Sequence, residues 1–200
     1  MELNEHEIFQ EFIDAKAILK GHFKLSSGLH SDTYMQCARV LMNPARAEKL
    51  CKLLAQKIIL NLKQNLPDIV VSPAMGGVVV GYELARQLNI PAIFCERVDG
   101  KFQLRRGFEL EPWQKVLVVE DVITTGKSSL ETFELVKNYT NNIIGEACLV
   151  DRTNDQNIEN ILGVKVFSLL KISVKNFSED NIPSELKNIQ AIKPGSRFIK

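Results

Sequence analysis

The sequence is short of several features that would direct a reading by themselves. It has four cysteines, Cys37, Cys51, Cys95 and Cys148, and no two form a C-x-x-C pair, so neither a zinc knuckle nor a dithiol redox motif is available. Charge of either sign is not in excess: Lys+Arg number 25 against Asp+Glu 24, a formal charge of +1. That balance disfavours a chain built to hold a nucleic-acid backbone or an anionic membrane surface. No apolar run approaches the roughly 18–20 residues of a membrane helix. The acidic start, Met1-Glu-Leu-Asn-Glu-His-Glu, lacks the basic flank of a signal peptide. The expectation is a cytoplasmic protein with reduced thiols. There is no G-x-G-x-x-G, since Gly76-Gly77 followed by Gly81 has the wrong spacing, and no repeat or long Gly/Ser/Pro linker splits the chain, so residues 1–200 read as one domain.

What is present is a globular composition, 45% hydrophobic and 24% charged over 200 residues, enough to bury about two-thirds of the unfolded surface. Residues 44–66 carry Ala47, Leu50, Leu54, Ile58 and Leu62 at three- and four-residue steps, the pattern of an amphipathic helix with Pro44 in its first turn. Four apolar runs at 68–72, 91–95, 115–119 and 144–150 are continuous rather than alternating, which suits strands buried on both faces. Helical patterns over 76–88 and 127–139 separate them, and a fifth strand is expected at 165–170. Strands alternating with helices imply an α/β fold, a mostly parallel five-stranded sheet flanked by helices. The core sheet then spans 68–170, with residues 1–40 and the last 30 as a small hood. Ligands of such sheets bind beyond the carboxyl ends of the strands.

After the third strand the chain reads Val116-Leu-Val-Val-Glu120-Asp121-Val122-Ile123-Thr124-Thr125-Gly126-Lys127-Ser128. Two acids at a strand end precede a small, hydroxyl-rich turn opening a helix, where free N–H groups and the helix dipole favour an anion. A phosphate fits residues 124–128, while the acids accept from vicinal hydroxyls or hold Mg²⁺ through water; a phosphorylated sugar is the natural ligand. A Walker A loop is excluded, because that motif needs Gly where this chain has Asp121.

Residues 116–128 closely resemble the phosphoribosyl-pyrophosphate signature of the type I phosphoribosyltransferases. Phe23-Lys-Leu-Ser-Ser27-Gly28-Leu-His-Ser31-Asp-Thr-Tyr34 is similar to the stretch near the start of the orotate phosphoribosyltransferases. Asp151-Arg152 resembles their D-R pair, Ser72-Pro73-Ala74-Met75-Gly76-Gly77 their pyrophosphate loop, and Lys193-Pro-Gly195 their closing motif. Together the motifs span nearly the whole chain.

The resemblance implies a type I phosphoribosyltransferase fold and transfer of a 5-phosphoribosyl group to orotate, with Mg²⁺ as cofactor. It makes Glu120 and Asp121 catalytic acids near the ribose, counts Val122 and Ile123 with them among the residues that bind phosphoribosyl pyrophosphate, and anchors the 5′-phosphate on Thr124, Thr125, Gly126, Lys127 and Ser128. Pro73, Ala74, Met75 and Gly76 face pyrophosphate. Thr124, Arg152, Ser27 and Tyr34 face orotate, Arg152 meeting its carboxylate.

Residues 96–112, with four cations and one acid from Arg97 to Arg106, have glycines and no clear period and read as a mobile loop. The family's catalytic loop closes over the neighbouring subunit's site, so a homodimer is implied, with Arg97 and Lys101 on the pyrophosphate and Lys101 catalytic. The family's lysine and histidine are absent at Val98 and Gln103, and lysines found elsewhere are absent at Ser26 and Gly76; Arg105 and Arg106 are candidates to replace the missing charge. Base choice rests on few contacts, so a phosphoribosyltransferase for a purine, or a phosphoribosyl-pyrophosphate-binding regulator, stays open. His22 and His30 read as structural or exposed polar groups, Trp113 as packing near the base of the loop, and the cysteines as small core residues.

Overall fold

The computed structural model describes residues 4–25, 28–153 and 157–193. The chain opens with α1 (Glu5–Asp14), the antiparallel strands β1 (Ile18–Lys24) and β2 (His30–Met35), then α2 (Cys37–Leu41) and α3 (Pro44–Leu62). The central unit follows: β3 (Ile69–Pro73), α4 (Gly76–Leu88), β4 (Ala92–Val98), β5 (Lys101–Leu104), β6 (Val116–Ile123), α5 (Lys127–Val136), β7 (Ile143–Asp151), α6 (Ile158–Leu162) and β8 (Val166–Lys171). A short β9 (Asn176–Phe177) and α7 (Ser184–Lys187) come last.

The main sheet has the order β5-β4-β3-β6-β7-β8, parallel throughout except for β5. It therefore has six strands, one more than expected. The extra strand lies in the segment read as an aperiodic loop, and its cause is local: Asp99 and Gly100 both have positive φ, 49° and 83°, the two-residue turn that matches strand twist in a hairpin. Val98 pairs with Lys101 and Arg97 with Phe102 across it. Phe102 is buried and the Arg97 guanidinium lies 4.1 Å from its ring centroid.

The sheet separates two cores. Leu117 and Val119 of β6 pack with Leu50, Leu54 and Ile58 of α3 and Val80 and Leu84 of α4, while Val116 and Val118 pack with Phe133 and Val136 of α5 and Ile158 of α6. The period of two in β6 is what sends alternate residues to the two sides.

The hood is a second, three-stranded sheet of order β1-β2-β9. His22 and His30 are both buried in it: His22 Nε2 lies 2.7 Å from His30 Nδ1 and His22 Nδ1 2.8 Å from the Ile189 carbonyl. They are structural groups, binding the chain after α7 to the hood. Trp113, expected to pack, is 65% exposed; its carbonyl, not its ring, is used, accepting from the Asn142 side chain at 3.4 Å. The four cysteines are free thiols and all buried. No helix among the described residues is long and apolar enough to cross a membrane.

Helix α4 sits unusually close to the sheet because its inner face begins with glycine. A Cβ at Gly77 would lie 2.8 Å from the Val119 carbonyl oxygen and 3.2 Å from Ser72 Cβ, and neither can move without moving a strand. Gly77→Ala is expected to destabilise by about 1–3 kcal/mol, the usual cost of overpacking, lowering Tm by about 2–4 °C per kcal/mol in a chain of this size. A thermal unfolding curve that superposes on wild type would refute the close contact.

Candidate functional site

Three strands end side by side at one edge of the sheet, and the turns leaving β3, β6 and β7 meet there. Asp121 is the centre of the group. Its Oδ1 accepts from the Val122 N–H at 2.9 Å, and its main-chain oxygen accepts from the Cys37 thiol at 3.8 Å. The turn of residues 73–76, which contains a cis peptide between Ala74 and Met75, passes directly over it. A Cβ at Gly76 would come within 2.7 Å of Asp121 Oδ1. The absence of lysine at position 76 thus has a steric reason: only glycine leaves the carboxylate where it is. Burial pushes the Asp121 carboxyl above its ordinary value, opposed by the Val122 hydrogen bond.

Glu120, expected beside Asp121 at the ribose, leaves the opposite face of β6, because a paired strand keeps its alternation up to its last residues. It is buried beside Cys148, its partner in register on β7. Burial holds its carboxyl well above the usual range, and the nearby Asp121 and Glu146 charges push in the same direction. Of the two acids, Asp121 shares the open side with Gly76, Tyr34 and Arg152, and Glu120 lies under α5.

The turn after β6 has the features of an anion cradle. Thr124, Thr125 and Lys127 are exposed, Ser128 is half-buried, and the N-cap residue of α5, Gly126, offers no side-chain cap, while the Lys127 N–H donates to Thr125 Oγ1 at 3.4 Å. Gly126 holds a φ of 72°, and a Cβ there would meet Ile158 Cδ1 at 2.8 Å. Val122 is half-buried, and Ile123 is buried with its carbonyl accepting from the Arg152 N–H at 2.8 Å.

Arg152 is the most informative side chain. It is 4% exposed; Nη2 donates to the Thr33 carbonyl at 3.3 Å, and Nε has no partner among the described residues. Burial lowers its pKa, opposed by the neighbouring Tyr34, Cys37 and Asp32. Tyr34 is half-buried next to it, its pKa raised by burial and then by Asp121. Asp151 shapes the turn that presents the arginine, its Oδ1 accepting from Thr153 N and Oγ1 at 2.9 and 2.7 Å. Thr33 and Cys37, absent from the sequence reading of the site, support it. The D-R pair was visible in the sequence, but only tertiary contact reveals what Thr33 and Cys37 touch. Ser27 lies outside the described residues, as does the end of the closing motif.

The hairpin cations are not brought to this cluster. Arg97 pairs with Glu131 of α5 and donates to the Gly100 carbonyl at 2.6 Å. Arg106, a candidate for replacing lost charge, is held bidentately by Glu96 at 3.0 and 2.8 Å. Exposed Lys101 lines a cleft of about 410 Å³ with Glu131, Glu134 and Leu135, on the outer side of α5. Among the described residues no group of three or more His, Cys, Asp or Glu is placed to hold a metal. Asp121, on the side shared with Gly76 and Tyr34, is an acid that could accept from the water shell of a bound cation.

Residues 39–181 match the family model described as the phosphoribosyl transferase domain. Curated proteins named orotate phosphoribosyltransferase are similar along almost their whole length. That of Sphingopyxis alaskensis is 50% identical over 197 residues, covering 98% of this chain and 99% of the relative. That of Rhizorhabdus wittichii is 51% identical over 195 residues, covering 98% and 97%. Among solved structures, the orotate phosphoribosyltransferase of Aeropyrum pernix superposes with a TM-score of 0.66 at 26% identity, covering 82% of this chain and 93% of that one. An adenine phosphoribosyltransferase from Thermoanaerobacter pseudethanolicus superposes with a TM-score of 0.57 at 18% identity, covering 70% and 88%, so the fold by itself does not choose the base.

Gly76→Ala is expected to force Asp121 off the Val122 N–H and weaken binding of phosphoribosyl pyrophosphate about tenfold, the scale of one charged hydrogen bond. Calorimetric titration of the variant checks this, and wild-type affinity would show that the carboxylate has room to move.

Proposed function

The chain belongs to the phosphoribosyltransferase family and, within it, to the orotate phosphoribosyltransferases, and on that premise we propose that it transfers the 5-phosphoribosyl group of phosphoribosyl pyrophosphate to N1 of orotate. The products are orotidine 5′-monophosphate and pyrophosphate, a step of pyrimidine synthesis. The observation that carries the choice of base is Arg152: a buried guanidinium with an unpartnered Nε, at the strand ends beside Tyr34 and Asp121. A buried donor without an acceptor is costly, and a planar carboxylate on the base removes that cost bidentately. Uracil, lacking the carboxylate, does not.

The chemistry follows from charge. The bond from C1 to the pyrophosphate oxygen breaks and its electron pair leaves with pyrophosphate, while the N1 pair forms the new bond and the N1 proton is lost. Positive charge gathers on the ribose and negative charge on the leaving group. The N–H groups at residues 124–128 and the start of α5 hold the 5′-phosphate. Asp121 accepts from a ribose hydroxyl and stands as a fixed negative charge on the open side. The turn of residues 73–76 faces pyrophosphate. Mg²⁺ would be held by substrate oxygens with Asp121 reached through water, and would supply charge to the departing pyrophosphate.

Lys101 and Arg97 complete the site from outside it. Both lie on the β4–β5 hairpin against α5, and we assign them to the neighbouring subunit's pyrophosphate in a homodimer. Support for a second copy comes from the exposed apolar face of α4: Val79, Tyr82 and the nearby Met75 stand out, and a cleft of about 280 Å³ runs between Val79, Tyr82 and Phe94. Four free, buried thiols suit the reducing cytoplasm as its location.

Arg152→Ala is expected to lower kcat/KM for orotate by at least about tenfold and leave phosphoribosyl-pyrophosphate binding unchanged. Following orotate consumption beside adenine, hypoxanthine and uracil tests it; a variant that uses orotate as well as wild type removes the assignment and favours a purine enzyme. Lys101→Ala and Asp121→Ala, each inactive alone, are expected to recover about a quarter of wild-type activity when mixed, because half of the dimers then hold one intact site. No recovery after verified subunit exchange would place Lys101 in its own chain's site.

A further inference from the structure

One buried acid has no part in the reaction as described. Glu146, in the middle of β7, is 0% exposed, a position where a carboxylate is rare unless paired with a cation. Ser129, in the first turn of α5, donates its hydroxyl to Glu146 Oε1 at 2.6 Å, and Oε2 has no partner. The groups facing it are Glu120 from β6, Cys148 from its own strand and Ser129 from α5. The paired position on β8 is Val166, which is not titratable. No cation is among them.

The hydrogen bond spans the layer between sheet and helix at one place, the end of α5 whose N–H groups form the anion cradle. Ser129 follows directly on residues 124–128, and it is the only residue of that turn whose side chain reaches β7 among the described contacts. A helix start that binds an anion through its main chain must hold its position to a few tenths of an ångström, and Gly126, with its φ of 72°, gives the preceding turn little stiffness of its own. Ser129 and Glu146 supply that stiffness from below.

We propose that Glu146 is a positioning residue for the 5′-phosphate: through Ser129 it fixes the first turn of α5 on the sheet. This rests on the assignment of residues 124–128 to the 5′-phosphate made above. Desolvation raises the Glu146 carboxyl to about 8, with the Ser129 hydrogen bond pulling the other way. The neutral form therefore prevails near pH 7, where it acts as a hydrogen-bond partner only. Above pH 8 a negative charge forms behind the helix start, in a region of low dielectric, and acts against the favourable end of the helix dipole.

The test uses ribose 5-phosphate as a probe, titrated calorimetrically into the full chain between pH 6.5 and 9.5, so that the reading does not depend on orotate turnover. Wild type is expected to bind about three- to tenfold more weakly above pH 8 than at pH 7. Glu146→Gln, which keeps the acceptor for Ser129 and cannot ionise, is expected to bind like wild type at pH 7 and to lose the alkaline weakening. Glu146→Ala and Ser129→Ala break the same tie and are expected to bind more weakly at every pH, with the double variant no worse than either single one. If Glu146→Ala fails to fold, the Gln pH profile and Ser129→Ala decide. Alkaline weakening that persists in Glu146→Gln, or wild-type affinity in Ser129→Ala, overturns the proposal. If ribose 5-phosphate does not bind wild type at all, the assignment of the cradle fails first.

Discussion

Strand β6 is the constraint on which the rest of the structure depends. It lies between β3 and β7, so its main chain is paired on both sides, and its alternation is then rigid. One set of its side chains, Leu117, Val119 and Asp121, faces α3 and α4; the other, Val116, Val118 and Glu120, faces α5. A slip of one residue would exchange the two sets and put Glu120 in the site. The two apolar cores on either side hold the register, and the register selects Asp121 as the acid that meets Gly76, Tyr34 and Arg152. Packing energy spread over many aliphatic contacts is thus converted into the placement of one carboxylate.

The site is also where the fold breaks its own rules of burial. Glu120, Asp121, Glu146 and Arg152 are all wholly or largely withdrawn from water, and none forms a close ion pair among the described residues. Such groups oppose folding. Asp121 and Arg152 lie at the carboxyl edge of the sheet, where a ligand with complementary charge and hydroxyl groups would meet them, whereas Glu120 and Glu146 lie on the α5 side of the sheet. The glycines serve the same end by letting chain segments approach: Gly76 leaves room for Asp121, and Gly77 lets α4 lie against the end of β6.

Much of this was legible in the residues. The continuous apolar runs announced strands covered on both faces, and α4 begins and ends where its pattern predicted. The acids and small hydroxyl turn after β6 carried the expectation of a phosphorylated sugar, and the structure places that turn at the carboxyl end of β6. The β4–β5 hairpin was misread as an aperiodic loop, although Asp99-Gly100 is itself a strong turn signal and Phe102 and Leu104 alternate with polar residues; the run of charges around them masked a strand only four residues long. His22 and His30 were read as structural or exposed polar groups, and the structural reading holds; their contact with each other and with a segment more than 150 residues away carries no sequence signal.

By itself the sequence determined local facts of the central unit: most of its parallel strands, helices α3, α4 and α5, and a turn after β6 whose residues suit an anion. These depend on neighbours within a few residues, and periodicity reports them. The tertiary structure alone decided the pairings that carry function. It set Gly76 against Asp121, left Arg152 buried with no partner for its Nε among the described residues, held Arg97 and Arg106 on their own chain's acids, and tied Ser129 to Glu146 beneath the turn of residues 124–128. The physical reason is that these contacts are set by strand register and by the depth at which helices lie on the sheet, quantities fixed by the packing of the whole core and carried by no short stretch of sequence.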